Sequence, residues 1–381
     1  MQLIVFDDSS LNLFHPLTLT RSLGQTTIGK YTVLERYLHV LNLKEGFIST
    51  AESLQKLYET PKDGESLWIN SRVVPTEHFI EQINNLPTNT ALKQNEQILA
   101  AKTAQVQFNS WEDTISVEGH VLLNNITDVF RFAGDFIAFD FAHHAVIRPS
   151  LASYQLLFGD FERLSISSSA KLLNCTLNTI DGPIIIDSGA EIQEGVHLRG
   201  PLYIGKNAQV KMGARISGPT SIGEECRIGG EVVNCVILPY SNKGHDGFLG
   251  NAVLGSWVNL GADTNGSNLK NNYSEISIQL EFEKQNIQTG LLFCGPLIGD
   301  HSKTGINTML NTATYIGVAS NVFGSDFPEK CIPSFSWKDS STPHQFEKAI
   351  QTAERMMARR GKEMSEVERE VLKHIYLSRV S

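Results

Sequence analysis

The sequence predicts an α/β domain in its N-terminal third, followed by a parallel β-helix and two terminal helices. Strand and helix patterns alternate up to about residue 140, which favours a sheet covered by helices. An aliphatic residue then recurs at every sixth position over residues 186–228, a period that fits neither an amphipathic helix nor a two-faced strand. A six-residue repeat is typical of a coil in which three short strands make one turn and the aliphatic side chains point inward.

The N-terminal domain is predicted to span residues 1–140. Residues 3–6 form a buried-strand run, residues 32–38 lead into a helical pattern, and residues 66–69 and 72–74 resemble short strands. A helix is predicted over residues 77–85, with Thr76 as its N-cap. Residues 141–179 are interpreted as a connecting segment.

The coil is predicted to span residues 180–336. Its first run is Ile186, Ile192, Leu198, Ile204, Val210, Ile216, Ile222 and Ile228, and its second is Ile298, Thr304, Leu310, Ile316 and Val322. Because the frame breaks after the first run, we expect a segment to be looped out between Gly230 and Phe248. Residues 263–272 are rich in Asn, Gly and Ser, so a second loop is predicted to leave the coil there.

Two helices are predicted within residues 337–381. The first runs from about residue 342 to residue 360 and ends at Gly361, and the second spans residues 365–376. Ser365 and Glu368 have the spacing of a capping box. We expect these helices to pack on the end of the coil.

Composition limits the classes of function. The chain has 381 residues and a net charge of −9, which does not favour nucleic acid as a partner. Its five cysteines include no C-x-x-C pair, as expected in a reducing compartment. The N-terminus turns acidic after one strand, unlike a signal peptide, and no apolar run approaches the roughly 20 residues of a membrane span. These features predict a cytoplasmic protein that does not bind membranes.

His245 is the candidate catalytic residue in the coil. It lies between Gly244 and Gly247, where the backbone can approach a ligand closely. An imidazole can accept a proton near neutral pH, although a single histidine in a sequence is more often structural.

The residues around His245 carry a family resemblance. Lys243-Gly244-His245, Leu249-Gly250, Leu254-Gly255 and the run at residues 258–262 match without a gap. This stretch resembles the acetyltransferase half of the bacterial bifunctional N-acetylglucosamine-1-phosphate uridyltransferase/glucosamine-1-phosphate acetyltransferase. The resemblance covers roughly residues 180–325. It implies a left-handed β-helix, a homotrimer with active sites between neighbouring coils, and acetyl-CoA as the acyl donor.

The resemblance also implies roles for individual residues. His245 would be the general base and Asn259 a substrate contact, and Lys243 would belong to the same substrate-binding motif. Arg215 falls where the family binds a sugar phosphate, and a planar guanidinium suits a phosphate group. The pair Asn272-Tyr273 resembles the family's Asn-Tyr pair. Phe248 and Val233 depart from the pattern, since the family has a tyrosine and a lysine there.

The N-terminal domain bears a partial resemblance to sugar-phosphate nucleotidyltransferases. The resemblance rests on Pro16, Thr18 and Arg21, which would contact a nucleotide. The glycine-rich turn that cradles phosphates in that family is replaced by residues 7–12, which begin with Asp7-Asp8. Two carboxylates repel a triphosphate unless Mg²⁺ bridges them, so Mg²⁺ is expected only if this domain is active. The whole chain resembles two-domain bacterial proteins described as sugar nucleotidyltransferases.

Three hypotheses of function follow. The first is an acyltransferase that moves an acetyl or other acyl group from CoA to an amino or hydroxyl sugar, including a sugar phosphate or nucleotide sugar. The second is a sugar-1-phosphate nucleotidyltransferase that uses UTP or dTTP, with the coil serving for trimerisation. The third is a non-catalytic scaffold that binds nucleotide sugars. The His245 and Asn259 pattern favours the first hypothesis.

Overall fold

The structure is a computed structural model that describes residues 1–149, 156–283 and 286–380. The first of these ranges contains the strands and helices of the N-terminal domain. The strands are β1 (Gln2–Phe6), β2 (Thr27–Ile28), β3 (Tyr31–Thr32), β4 (Gly46–Ser49), β5 (Ser66–Asn70), β6 (Thr90–Gln94), β7 (Gln97–Thr103) and β8 (Asp113–Ser116). The helices are α1 (Val33–Val40), α2 (Glu52–Gln55), α3 (Glu77–Asn84), α4 (Thr127–Arg131) and α5 (Ala133–His143).

Six of these strands form one mixed sheet in the order β4-β1-β5-β7-β6-β8. Strand β1 pairs in parallel with β4 and β5, and both β1 and β5 are buried along their whole length. Such burial is expected of central parallel strands that are covered on both sides. Helix α3 begins where predicted, because the Thr76 hydroxyl accepts a hydrogen bond from the Phe79 amide. The α/β class predicted for this domain is confirmed.

From residue 156 the chain forms a left-handed parallel β-helix, which confirms the second part of the predicted fold. Its first strands are β9 (Leu156–Phe158), β10 (Leu164–Ile166), β11 (Lys171–Leu172), β12 (Thr176–Asn178), β13 (Ile184–Ile186), β14 (Glu191–Ile192), β15 (His197–Arg199), β16 (Leu202–Ile204), β17 (Gln209–Val210) and β18 (Arg215–Ser217). The next are β19 (Thr220–Ile222), β20 (Arg227–Ile228), β21 (Glu231–Val233), β22 (Val236–Ile237), β23 (Asn242–Lys243), β24 (Phe248–Gly250), β25 (Val253–Leu254) and β26 (Asn265–Gly266). After a hairpin of β27 (Ile276–Ile278) and β28 (Ile287–Leu291), the coil continues with β29 (Leu297–Ile298), β30 (Lys303–Thr304), β31 (Met309–Leu310), β32 (Tyr315–Ile316), β33 (Asn321–Val322), β34 (Cys331–Ile332) and β35 (Ser336–Pro343).

The coil has three faces. Face 1 is the sheet of β10, β13, β16, β19, β22, β25, β29, β32 and β34. Face 2 consists of β11, β14, β17, β20 and β23, followed by β30, β33 and β35, and Asn259 bridges the two groups by pairing with Asn242 and Lys303. Face 3 contains β9, β12, β15, β18, β21, β24, β26 and β31. All eight residues of the first sextet run are at most 1% exposed, so the period identified the inward side chains correctly.

One loop prediction was wrong, and the other placed the start of the insertion a few residues too early. The segment between Gly230 and Phe248 is not looped out, because it supplies β21, β22 and β23 to the three faces. Residues 265–266, inside the second predicted loop, form β26 and pair with β24 and β31. The insertion leaves the coil after this strand and returns before β29, with β27 and β28 as its antiparallel hairpin. The coil also begins earlier than residue 180, since β9 to β12 lie in the segment assigned to a connection.

The N-terminal domain covers the outer side of face 1. Outward residues of this face, Val236, Val253, Leu297 and Tyr315, are buried in one apolar cluster with Phe14, Leu17 and Ile28 of the N-terminal domain. The insertion hairpin joins the same cluster through Ile276 and Ile278. Faces 2 and 3, and the corner between them, therefore lie on the side of the coil away from this domain.

The terminal helices are α6 (Phe346–Ala358) and α7 (Glu366–Val380), close to their predicted bounds. Gly361 follows α6 with φ of +64°, and Ser365 and Glu368 exchange the two hydrogen bonds of the predicted capping box. Leu372 and Ile375 of α7 pack with Phe335 of the last coil turn and with Leu54 of the N-terminal domain. The helices thus contact both domains rather than the coil end alone. In the described part of the chain, no helix combines the length and apolar character needed to cross a membrane.

Candidate active site

His245 lies on the corner between faces 2 and 3, in the turn that joins β23 to β24. This corner is opposite face 1, so the N-terminal domain does not cover it. The side chain is exposed to solvent. It is therefore accessible to a ligand bound along the outside of this corner.

Lys243 holds the His245 turn from inside the coil. Its side chain points inward and is 2% exposed, and Nζ donates hydrogen bonds to the carbonyl oxygens of Gly229 at 2.9 Å and His245 at 3.0 Å. Burial lowers the pKa of Lys243 to about 8. The Lys243 ammonium group is thus bound by backbone carbonyl oxygens inside the coil rather than presented on the outer surface of the corner.

Glycines allow neighbouring turns to pack closely against the His245 turn. Gly230 has φ of +69°, and a Cβ atom there would lie 2.7 Å from the carbonyl oxygen of Gly247. Gly247 has φ of +117°, and its Cβ would lie 2.3 Å from the carbonyl oxygen of Thr264. Both positions combine a left-handed backbone with a contact that excludes a side chain. The His245 backbone is consequently fixed between two turns of the coil.

Asn259 lies on face 2, next to the strand that leads into the His245 turn. The amide nitrogen of Asn242 donates a hydrogen bond to the side-chain oxygen of Asn259 at 2.7 Å. Both side chains are half-buried. The pair places amide groups on the face adjacent to His245, where they could orient a polar substrate.

Arg215 lies on face 3, on the other side of the same corner. It pairs in register with Glu231, which pairs in turn with Phe248. Its guanidinium forms an ion pair with the Glu231 carboxylate at 3.0 Å, and both side chains are exposed. Such exposed pairs contribute about 0–1 kcal/mol to the free energy of unfolding. The guanidinium could therefore leave Glu231 and bind a phosphate group at little cost in stability. Val233, where the family has a lysine, lies at the end of β21, the strand that carries Glu231.

Asn272 and Tyr273 lie elsewhere, in the insertion that leaves the coil after β26. Both are exposed, and the Asn272 side-chain oxygen accepts a hydrogen bond from the Ser274 amide at 3.1 Å. The hairpin of this insertion packs toward the N-terminal domain and face 1. Within one chain, Asn272 and Tyr273 therefore do not lie on the corner that carries His245.

The corner that carries His245 also exposes large apolar side chains. Met212 follows β17 and is 71% exposed, and Ile306 follows β30 and is 72% exposed. Both occupy turns between faces 2 and 3, on either side of the His245 turn. Both side chains are thus available at the outer edge of this corner.

The predicted nucleotide contacts of the N-terminal domain have separate structural roles. The Thr18 hydroxyl donates a hydrogen bond to the carbonyl oxygen of Leu11 at 2.7 Å, and Pro16 is buried. Arg21 forms an ion pair with Asp300 of the coil. Arg21 therefore joins the two domains, a contact that sequence spacing could not reveal because the two residues are far apart in the chain.

The carboxylates after β1 are also occupied. The Asp7 carboxylate accepts hydrogen bonds from the hydroxyls of Thr50 at 2.6 Å and Ser71 at 2.7 Å, and burial raises its pKa. One oxygen of Asp8 accepts from Arg72 Nη2 at 2.6 Å and Nε at 2.9 Å, and the hydrogen bonds to Asp8 outweigh burial and lower its pKa. These carboxylates do not fit a Mg²⁺ site, since one is buried behind hydroxyls and the other is paired with a guanidinium. No cluster of three or more His, Cys, Asp or Glu side chains among the described residues could hold a metal ion.

A cleft of about 650 Å³ opens beside Asp7 and Asp8, between the turn after β1 and helix α7. Its described lining includes His15 and His374 but no lysine or arginine. Burial lowers the pKa of His15 to about 4, so this ring is neutral near pH 7. The cleft thus lacks the cations expected around a nucleoside triphosphate.

Comparison with known proteins relates this chain to sugar-modifying transferases. Residues 3–147 match the family described as sugar nucleotidyl transferase. A curated bifunctional sugar-1-phosphate nucleotidylyltransferase/acetyltransferase from Sulfurisphaera tokodaii is 34% identical over 146 residues, which cover 38% of this chain and 36% of that protein. The chain thus matches little more than a third of the relative's length. Both descriptions are of transferases, and the relative's name combines the two reactions considered above.

Proposed function

We propose that the protein is an acyltransferase that moves an acetyl or related acyl group from CoA to an amino or hydroxyl sugar. The acceptor would be a sugar phosphate or a nucleotide sugar, and acetyl-CoA would be the co-substrate. The observation that carries this proposal is the exposed His245 on a rigid corner of a β-helix, with its turn held from inside by Lys243. The combined name of the curated relative supports the same reaction class.

The chemistry requires one base and one positioned acceptor. The His245 ring would take the proton as the acceptor nitrogen or oxygen forms a bond to the thioester carbonyl carbon. The carbon–sulfur bond would then break, and the proton would pass to the departing thiolate, giving free CoA and the acylated sugar. Asn259 would orient the acceptor from face 2, and Arg215 would bind a phosphate group from face 3.

A homotrimer would complete this site. The exposed Met212 and Ile306 flank the His245 turn, and a second coil packed there would bury both and form the other wall of a cleft. Sedimentation velocity at micromolar concentration should give the mass of three chains, whereas Met212→Asp combined with Ile306→Asp should give one. A wild-type monomer under these conditions would contradict the proposed assembly.

A thiol-release assay with a panel of acceptors tests the proposed reaction. Acetyl-CoA is mixed with amino sugars, their phosphates and nucleotide sugars, and free CoA is followed with a thiol reagent. At least one acceptor should give release that depends on both substrates. If it is phosphorylated, Arg215→Ala should raise KM more than it lowers kcat, because the guanidinium would bind ground and transition states alike. A panel with no release above the enzyme-free rate would argue against the proposal.

A second candidate is sugar-1-phosphate nucleotidyl transfer, which the family match over residues 3–147 favours. The paired Asp8 carboxylate and the lack of lysine or arginine in the adjacent cleft weigh against it. We expect no pyrophosphate from UTP or dTTP with glucose 1-phosphate or N-acetylglucosamine 1-phosphate and Mg²⁺. Steady pyrophosphate release that Arg72→Ala or Arg21→Ala abolishes would instead establish this activity.

A further inference from the structure

A second large cavity lies away from the His245 corner. Its volume is about 750 Å³, and it lies between the N-terminal domain, the corner joining faces 1 and 2, and the terminal helices. Arg21 and Tyr58 line it from the N-terminal domain, Trp257 and His301 from the coil, and Met364 from the terminal segment. We call it the interface cavity.

Three consecutive coil corners place aromatic rings in its wall. Tyr240, Trp257 and His301 have φ of +66°, +62° and +60°, in the left-handed region that bulky residues rarely occupy. Corners of the same type in other turns have the same sign of φ, at Gly189, Asn207, Glu225, Ala319 and Phe335. The rings are parallel, with centroids 4.2 Å apart for Tyr240 and Trp257 and 6.3 Å apart for Trp257 and His301. Successive turns therefore place three rings side by side in one wall of the cavity.

Two buried nitrogens of this lining have no hydrogen-bond partner among the described residues. They are Nη1 of Arg21 and Nδ1 of His301. His301 is 8% exposed, and burial lowers its pKa to about 3, so the ring is neutral at ordinary pH. Buried polar atoms are normally satisfied, so unpartnered ones on two side chains that line one cavity point to a ligand with oxygen or nitrogen atoms toward which these side chains turn.

The charges of the lining narrow the class of ligand. Its acidic residues are Glu35, Asp187, Glu224, Asp300 and Glu368, and its basic residues are Arg21, Lys30 and Lys206. Two of the three cations are already paired, Arg21 with Asp300 and Lys30 with Asp187. An excess of carboxylates repels a phosphate, but carboxylates accept hydrogen bonds well from hydroxyl and amino groups.

We infer that the interface cavity binds an unphosphorylated carbohydrate, either neutral or bearing an amino group. The edges of the stacked rings would contact the apolar surface of the sugar. Glu224, which already accepts a hydrogen bond from the Tyr240 hydroxyl, and its neighbouring carboxylates would accept from the sugar hydroxyls, and Arg21 and His301 would supply the remaining polar contacts. This site is separate from the His245 corner, and the inference does not depend on the proposed acyl transfer. A sugar bound here would touch both domains and α7.

Isothermal titration calorimetry of the full-length protein, without an acyl donor, tests this inference. Glucose, glucosamine and N-acetylglucosamine are compared with glucose 1-phosphate and N-acetylglucosamine 1-phosphate at equal ionic strength. At least one unphosphorylated sugar should bind saturably in the millimolar range or tighter. His301→Asn should weaken this binding at least tenfold while Tm stays the same or rises, because asparagine relieves the left-handed backbone. Tyr240→Asn should also weaken it.

Two matched variants locate the binding. His245→Ala and Trp337→Phe lie outside the cavity and should bind the sugar as the wild type does. The inference is overturned if no sugar in the panel binds, if the phosphorylated sugars bind more tightly, or if His301→Asn binds normally. The inference would also be overturned if His245→Ala lost sugar binding while His301→Asn retained it, because the sugar would then bind at the His245 corner.

Discussion

Replacing Lys243 with methionine should remove one contribution to the rise of the free energy of unfolding between pH 7 and pH 9. Burial lowers the pKa of Lys243 from 10.5 to about 8 in the folded protein. Between these values the unfolded chain binds more protons than the folded chain, so the free energy of unfolding rises with pH. From pH 7 to pH 9 this group alone should stabilise the wild type by roughly 1 kcal/mol, and Lys243→Met should lose that increment.

The variant should also show that the lysine was retained for geometry rather than stability. At pH 7 the buried charge costs about 3 kcal/mol, which follows from the size of its pKa shift. Replacing the lysine also removes the donor to the carbonyl oxygens of Gly229 and His245, which costs stability in the opposite direction. Lys243→Met should therefore fold with a stability near that of the wild type, but lower the acyl-transfer rate by loosening the His245 turn.

Urea titrations at pH 7 and pH 9, at a fixed protein concentration, provide the measurement. The exposed Lys206→Met is the matched control and should keep the wild-type pH dependence. The free energy of unfolding of Lys243→Met could instead change from pH 7 to pH 9 as much as that of the wild type. The lysine would then not titrate as a buried group, and its assignment as the inner support of the His245 turn would be wrong.

Two further predictions concern stability. Ile204→Asp places a charge in the coil core and should lower the free energy of unfolding by several kcal/mol. Ile180→Asp, at a position that is 58% exposed, should change it little. Urea unfolding of a fully stable Ile204→Asp would contradict the inward position. Arg21→Ala leaves Asp300 buried without its cation and should cost about 3 kcal/mol. Arg215→Ala breaks an exposed pair and should cost less than about 1 kcal/mol in the same assay, so equal losses for the two arginines would refute this distinction.

The coil could be predicted because each inward side chain recurs at a constant interval. Residues in register on face 1 are 18 apart for Leu202 and Thr220, but 15 apart for Ser221 and Val236. This shortened turn keeps the strand pairing but breaks the sequence period, which explains why β21 to β23 were mistaken for a looped-out segment. A six-residue period records constant spacing and cannot recognise a turn that is shorter at its corners.

The candidate site was predictable only in part. The spacing around His245 and Asn259 identified the corner, but Lys243 has the chemistry of a surface residue, so its inward position follows only from the strand register. The stacking of Trp257 and His301 depends on two coil turns separated by the insertion. Likewise, the contact between Arg21 and Asp300 arises from docking of the N-terminal domain, which no local pattern records.

The ratio of acyl-transfer rates for wild type and His245→Ala tests the central claim most directly. Both proteins are assayed at saturating acetyl-CoA with the best acceptor, and circular dichroism and sedimentation confirm equal fold and assembly. A positioned general base contributes about 10²–10⁴-fold, so kcat should fall by that factor while acetyl-CoA binding is retained. Thiol release by a folded His245→Ala protein at the wild-type rate would contradict the assignment of His245 as the base.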